Sequence, residues 1–245
     1  MRTQEQQLDA RGKPVYLISD IHANLAALKT VLDKIPLYTT ILCAGDILGY
    51  YTEPNEVCQL LRERKVQCIK GNHDKYILGE LEYPATRELA YRIEATRRLL
   101  SARNYKWLAS LPDKLSINIP SSHGGEKTAE TNILIAHGSP SNVEEYIYPD
   151  TPIDFLSKLR QDYLVLGHTH HPMKQKAGEL TVINPGSVGQ PRDWIPEPSY
   201  ASINPASKAI CFYRASYDVS AYQNLLRRAS IDHSVIEILS RSKYD

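Results

Sequence analysis

Five short clusters of acid, imidazole and amide side chains punctuate the chain up to residue 170: Asp20-Ile21-His22, Gly45-Asp46, Gly71-Asn72-His73-Asp74, His137-Gly138 and Gly167-His168-Thr169-His170. Each follows an apolar run. A single DxH or GD pair arises often by chance, and a Gly-Asn pair is an ordinary turn. Five such clusters in succession are a joint signal. The chemistry that needs these types together is hydrolysis at phosphorus, where an anion must be neutralised, a nucleophile produced at neutral pH and charge on a leaving oxygen stabilised. Two divalent cations roughly 3.5–4 Å apart meet all three demands. Mixed imidazole and carboxylate donors suit Mn, Fe, Zn, Ni or Co better than Ca or Mg, which prefer oxygen alone. A carboxylate such as Asp46 has two oxygens and can serve both ions.

The elements that must position these clusters alternate. VYLISD (15–20) is a short apolar strand, and NLAALKTVLDKI (24–35) has the apolar spacing of a helix with Asn24 as its cap. TTILCAGD (39–46), PNEVCQLLRER (54–64) and VQCIKGNHD (66–74) continue as strand, helix and strand. This is the pattern of βαβ units in a largely parallel sheet, whose sites lie at the carboxyl ends of the strands. Residues 75–112 are helical, rich in Arg and Tyr, and read as an insertion within a single domain spanning 1–245. LSINIP (115–120) is a further strand, and 121–132 reads as a polar hairpin loop. Strands resume at 133–138, 162–170, 179–186, 200–205 and 209–217, the last group with meander-like spacing. A closing helix and tail follow at 219–239.

The ordered set DxH, GD, GNHD, H and GHxH resembles the calcineurin-like metallophosphoesterase superfamily, and GDILGYYTEPNEV (45–57) with INPGSVGQPRD (183–193) resembles its small bacterial and archaeal phosphodiesterase branch. The resemblance implies a four-layer αββα sandwich of two mixed sheets. It implies that Asp20, His22, Asp46 and His170 hold one divalent ion and that Asp46, Asn72, His137 and His168 hold the other, manganese being the first choice. His73 then binds a phosphate oxygen, together with Asn72, and assists the leaving group, with Asp74 orienting it, while a metal-bound hydroxide attacks phosphorus in line. The substrate implied is a phosphodiester or phosphomonoester of a small molecule or nucleotide. A nucleotide anhydride, or a scaffold of the same fold without catalysis, are the rival readings. His73 argues against the scaffold. The chain departs from the common GDxxD pattern, since Gly49-Tyr50 follows where many relatives carry an acid.

Arg192 and Tyr50 are candidate substrate contacts, weighed against ordinary surface and packing roles. Ser187 is read as a turn residue, and His123, His171 and His233 are left outside the site. The arginines at 87–98 form a solvated helix face that can also guide an anion. A formal net charge of +1 over 245 residues gives no strong nucleic-acid signal. The first ten residues contain no apolar stretch, and nowhere do eighteen apolar residues run together, so the reading is a cytoplasmic protein with no membrane partner, compatible with a homo-oligomer. Cys43 and Cys68 fall within apolar runs and are expected as buried thiols.

Overall fold

The computed structural model describes residues 2–8, 13–120 and 130–243. The strands in chain order are β1 Thr3–Gln7, β2 Val15–Ile18, β3 Ile41–Cys43, β4 Gln67–Cys68, β5 Lys114–Ile119, β6 Thr131–Ile135, β7 Tyr163–Val165, β8 Met173–Ala177, β9 Leu180–Asn184, β10 Ser199–Ile203 and β11 Ile210–Arg214. They form a five-stranded sheet ordered β11-β10-β2-β3-β4 and a six-stranded sheet ordered β1-β5-β6-β7-β9-β8. Both are mixed. The pairs β2–β3, β3–β4, β6–β7 and β7–β9 are parallel, so the strands that precede the polar clusters all run the same way within their sheet.

The sheets pack face to face. Val15, Leu17, Leu42, Ala44 and Ile69 from one side meet Leu115, Ile117, Ile133, Ile135, Val165 and Ile183 from the other in a fully apolar layer. Strand alternation explains it, since residues at period two share a face. On its outer face the five-stranded sheet carries the helices α1 Leu25–Lys34, α2 Pro54–Glu63, α3 Asn72–Leu78, α4 Glu88–Tyr91, α5 Ile93–Leu99, α6 Ala102–Ser110, α7 Val219–Arg228 and α8 His233–Glu237. Asn24 caps α1 as its sequence suggests, its Oδ1 accepting from Ala27 N–H at 3.0 Å.

The fourth layer is thin. Leu134, Ala136, Leu164, Leu166 and Val182 on the outer face of the six-stranded sheet are covered by Ile147, Ile153 and Leu156, which lie on a coil with one 3₁₀ turn at Asp154–Leu156. Three other expectations shift. VQCIKGNHD gives only Gln67–Cys68 as strand, because Asn72 already opens α3. The meander divides between sheets, β8–β9 in one and β10–β11 in the other. The polar start contains β1, a parallel edge partner of β5. Of the expected 121–132 loop, residues 121–129 with His123 lie outside the described residues, and Thr131 and Asn132 belong to β6. The helical segment expected at 75–112 is α3 to α6, packed on α2 and the sheet edge. Cys43, Cys58 and Cys68 are buried free thiols. No helix of the described residues is long and apolar enough to cross a membrane.

One ion-pair cluster ties α3 to the start of β5. Lys75 Nζ lies 2.5 Å from Asp113 Oδ1, and Lys70 Nζ lies 3.6 Å from the same oxygen and 2.7 Å from Glu80 Oε2. Burial alone would raise the Asp113 carboxyl, but the hydrogen bond from Lys75 holds it below its usual 3.8. A carboxyl depressed in the folded state adds stability that is present above 3.8 and is lost as pH falls through the folded value. Asp113→Asn is therefore expected to cost about 1–2 kcal/mol at pH 7. That difference should shrink as pH falls below 3.8 and through the folded value. Urea unfolding followed from pH 7 downward checks both the size and the sign.

Candidate active site

The polar clusters converge where the two sheets' strand ends meet. Backbone hydrogen bonds zip the loops that carry them. Asp20 N–H donates to Gly45 O at 3.0 Å, His22 N–H to Asp46 O at 3.1 Å, Gly167 N–H to His137 O at 2.8 Å and Gly189 N–H to Asp20 O at 2.9 Å. The close approach has a steric requirement. A Cβ on Gly71 would stand 2.1 Å from Asp46 Oδ1 and 2.4 Å from its backbone nitrogen, so only glycine lets the two loops touch.

Two groups of donors result: Asp20, His22 and His170 in one, and Asp46, His137 and His168 in the other, each set of ligand atoms lying within 4.8 Å of one another. Bonds of roughly 2.0–2.2 Å to a common ion set opposite ligands roughly 4 Å apart, so each group has the span of a coordination shell. Asn72 joins the second, its Oδ1 3.0 Å from His137 Nε2. Asp46 stands between the two, with Oδ2 3.7 Å from His22 Nε2 and 3.4 Å from His137 Nε2. All seven residues expected as ligands are brought together. Asp20, His22, Asp46, His168 and His170 also share a left-handed backbone, with φ between 51° and 68°. Non-glycine residues avoid this region, and its concentration here is of the kind found at functional sites.

The donor set fits cations. His22 Nδ1 is 3.2 Å from Leu48 O and His170 Nδ1 is 2.6 Å from Gln190 O. A carbonyl only accepts, so each Nδ1 carries the ring hydrogen. Burial holds both rings well below the ordinary imidazole range, so they are neutral. Their Nε2 atoms, 3.1 Å apart, are then two lone pairs facing each other with no proton to share. Asp20 Oδ2 and His168 Nε2 are buried without a hydrogen-bond partner. Acceptors gathered without donors are satisfied by a cation. Electrostatics agree. Burial raises Asp20 to about 7. Burial alone would also raise Asp46, but His137, His73 and His22 around it hold it well below the usual carboxylate range. Burial alone would lower His137, but Asp46 lifts it to about 10, drawing a proton toward the place a metal would occupy.

Comparison with known proteins follows the same line. Residues 14–208 match the calcineurin-like phosphoesterase superfamily domain. The chain belongs to that superfamily. An uncharacterized protein of Methanocaldococcus jannaschii is 34% identical over 235 residues, covering 87% of this chain and 92% of the archaeal one. The crystal structure of a metallophosphoesterase from Sphaerobacter thermophilus superposes with a TM-score of 0.74 at 28% identity, covering 93% of this chain and 98% of that one. A hypothetical protein of Pyrococcus horikoshii shares the fold, with a TM-score of 0.77 at 20% identity over the same shares of each chain.

Around the phosphoesterase donor set, His73 stands apart from the two donor groups. Its ring stacks on Tyr50, with centroids 4.8 Å apart, and meets Tyr91 at 4.4 Å, Tyr76 at 5.6 Å and His22 at 5.0 Å. Its Nδ1 is buried without a partner. Burial first, with Arg192 adding to it, lowers His73 to about 4. Gly49, where many relatives carry an acid, has φ +95° and would place a Cβ 2.6 Å from His73 Nδ1, so the departure from GDxxD makes room for this ring.

Asp74 does not orient His73. Its oxygens accept the backbone N–H groups of Ile47, Leu48 and Gly71 at 2.9–3.1 Å, stitching the Asp46 loop to the Asn72 loop. The reason lies in α3: Asp74 sits at the third position of the helix and turns back on Gly71, away from the ring of the preceding residue, His73. Ser187 does close a turn, accepting from Gln190 N–H at 2.8 Å, and its hydroxyl also donates to Asp20 O at 2.7 Å.

Arg192 and Tyr50 do reach the site. Arg192 Nη2 donates to Tyr50 Oη at 3.1 Å and to Gln190 Oε1 at 2.7 Å, and its charge is felt by His22, His73 and His170. Burial raises Tyr50 to about 12, so its hydroxyl keeps its proton. Of the helix-face arginines, Arg97 behaves differently, binding the carbonyls of Ile77 and Tyr76 and pairing with Glu94. Sequence reasoning missed Tyr91, Tyr76 and Tyr146, the last with its ring 4.0 Å from that of His168. Their only signal was the abundance of tyrosine.

Proposed function

We propose that this chain is a dinuclear metal-dependent phosphoesterase that hydrolyses phosphodiesters or phosphomonoesters of small molecules or nucleotides. The observation that carries the reading is the pair of donor groups with Asp46 Oδ2 standing between His22 and His137, and with facing lone pairs and orphaned acceptors among the donors. Asp20, His22, Asp46 and His170 would hold one ion and Asp46, Asn72, His137 and His168 the other. Bound there, divalent ions of the Mn, Fe, Co, Ni or Zn kind supply Lewis acidity and an ionisable water. The carbonyls of Leu48, Ala44 and Gln190 fix the tautomers of His22, His137 and His170 so that each presents Nε2 inward.

The remaining side chains handle the anion. Arg192, held by Gln190 and Tyr50, sets a guanidinium at the rim that can take two phosphate oxygens. His73 is positioned by Tyr50 and Tyr91 rather than by a carboxylate. Neutral in the buried site, it offers an N–H to a phosphate oxygen, and a bound phosphate anion in turn favours the protonated ring. The proton it then gives to the departing oxygen returns from solvent after product leaves. Asp74 contributes by keeping the two ligand loops in register.

The experiment is a turnover screen with bis(p-nitrophenyl) phosphate and p-nitrophenyl phosphate, using Mn, Co, Ni, Zn and Mg in turn after chelator treatment. Activity that depends on added metal is expected. Full activity in the chelated, metal-free protein would refute the reading.

A further inference from the structure

The loop that follows His137 carries two aromatic rings the chemistry above does not use. Tyr146 and Tyr148 stack in parallel, with planes 8° apart and centroids 5.7 Å apart, yet they remain 48% and 39% exposed. The pair is anchored to the site. The Tyr146 ring also meets that of His168 at 4.0 Å, and Tyr148 meets His171 edge-on at 5.6 Å, so ring contacts run from the donor groups out to solvent. The loop itself is latched, because the hydroxyl of Tyr76 on α3 donates to Glu144. Tyr91 and Arg192 lie near enough across the site to bear on the Tyr146 hydroxyl.

Two large flat rings left half in water beside a reactive centre are an unsatisfied surface. They already stack on each other, so a third ring cannot enter between them and would lie on their open side. A sugar separates the phosphate of a nucleotide from its base, and ring contacts lead from His168 of the donor groups through Tyr146 to Tyr148.

We propose that Tyr146 and Tyr148 form a stacking platform for a nucleobase, making the substrate a nucleotide-type phosphate ester or anhydride rather than a simple sugar or alkyl phosphate. The inference deepens the phosphoesterase reading and rests on it for the reaction. The platform itself is testable without turnover. A base on an aromatic platform contributes about ten- to hundred-fold, largely independent of base identity because every base has a π-face.

The test compares adenosine 5′-monophosphate with ribose 5-phosphate, and adenosine 5′-methylphosphate with its base-free counterpart, in wild type, Tyr148→Leu, Tyr148→Phe and the double variant Tyr146→Leu/Tyr148→Leu. The wild type is expected to favour the base-bearing member by about ten- to hundred-fold in kcat/KM. That ratio should fall about tenfold in Tyr148→Leu, fall further in the double variant, and be restored by Tyr148→Phe. Calorimetric Kd values for adenosine 5′-monophosphate and ribose 5-phosphate are measured on the same proteins. If no phosphate is turned over with any metal, the phosphoesterase reading fails, while a base-dependent Kd that Tyr148→Leu abolishes still supports the platform. Equal Kd and equal kcat/KM for base-bearing and base-free ligands overturn it. A Tyr148→Leu variant that changes only the oligomeric state also overturns it and assigns the pair to a subunit contact.

Discussion

Replacing Asp46 with Ala is expected to empty or weaken both metal positions together and to lower turnover by about 10³-fold or more. The expectation follows from place rather than charge alone. Asp46 Oδ2 lies between His22 and His137, which belong to different donor groups, and Oδ1 accepts from His73 N–H at 2.9 Å. One side chain thus faces both groups and fixes the start of α3. Asp20→Ala, by contrast, removes a carboxylate that touches His170 and accepts from the His168 N–H, and should weaken one position more than the other. Metal content per chain, measured by mass spectrometry after gel filtration, separates the outcomes. Equal loss from Asp46→Ala and Asp20→Ala would deny Asp46 its shared role.

The second large effect is at His73. His73→Ala is expected to lower kcat by about 10²–10⁴-fold while the protein keeps its metal. Its ring is packed among Tyr50, Tyr76, Tyr91 and His22 but belongs to neither donor group, and its Nδ1 has no partner. Removing it leaves a cavity among aromatics, which is expected to cost stability as well. His73→Asn, which keeps a polar group and more of the volume, controls for this. A variant that folds, keeps two ions and has lost turnover supports the assignment. Loss of metal in both variants would make His73 a ligand instead. The same pair of variants bears on Gly49, because the space that Gly49 leaves is filled by this ring.

What the sequence made legible is local. Asp20, His22, Asp46, His137, His168 and His170 each follow a short apolar strand, and a strand in a parallel layer ends at the edge where sites form. Knowing the strands therefore places the ligands. That the sheet is covered on both faces was legible for a related reason, since runs such as VYLI and ILC are apolar throughout, whereas the second sheet followed from the family resemblance alone.

The rest was hidden because it depends on tertiary meeting. β1 reads TQEQQ and has no apolar face, so hydropathy carries no trace of its pairing with β5. The family resemblance implied that Asp74 orients His73, but helix geometry turns it onto backbone groups of another loop. Tyr91 stands eighteen residues beyond His73, on α4, and comes to it only because the helices fold back over α3. Tyr146 and Tyr148 lie on coil, where no periodicity exists to assign them a face. The outer layer over the six-stranded sheet is coil for the same reason: three apolar residues at 147, 153 and 156 suffice to cover it without helical spacing.

The most direct test of the central claim is anomalous diffraction from crystals of the manganese-loaded protein. Two ions are expected, one bounded by Asp20, His22 and His170, the other by Asn72, His137 and His168, with the Asp46 carboxylate touching both. A single ion, ions bound elsewhere, or Asp46 turned away from them would contradict the account.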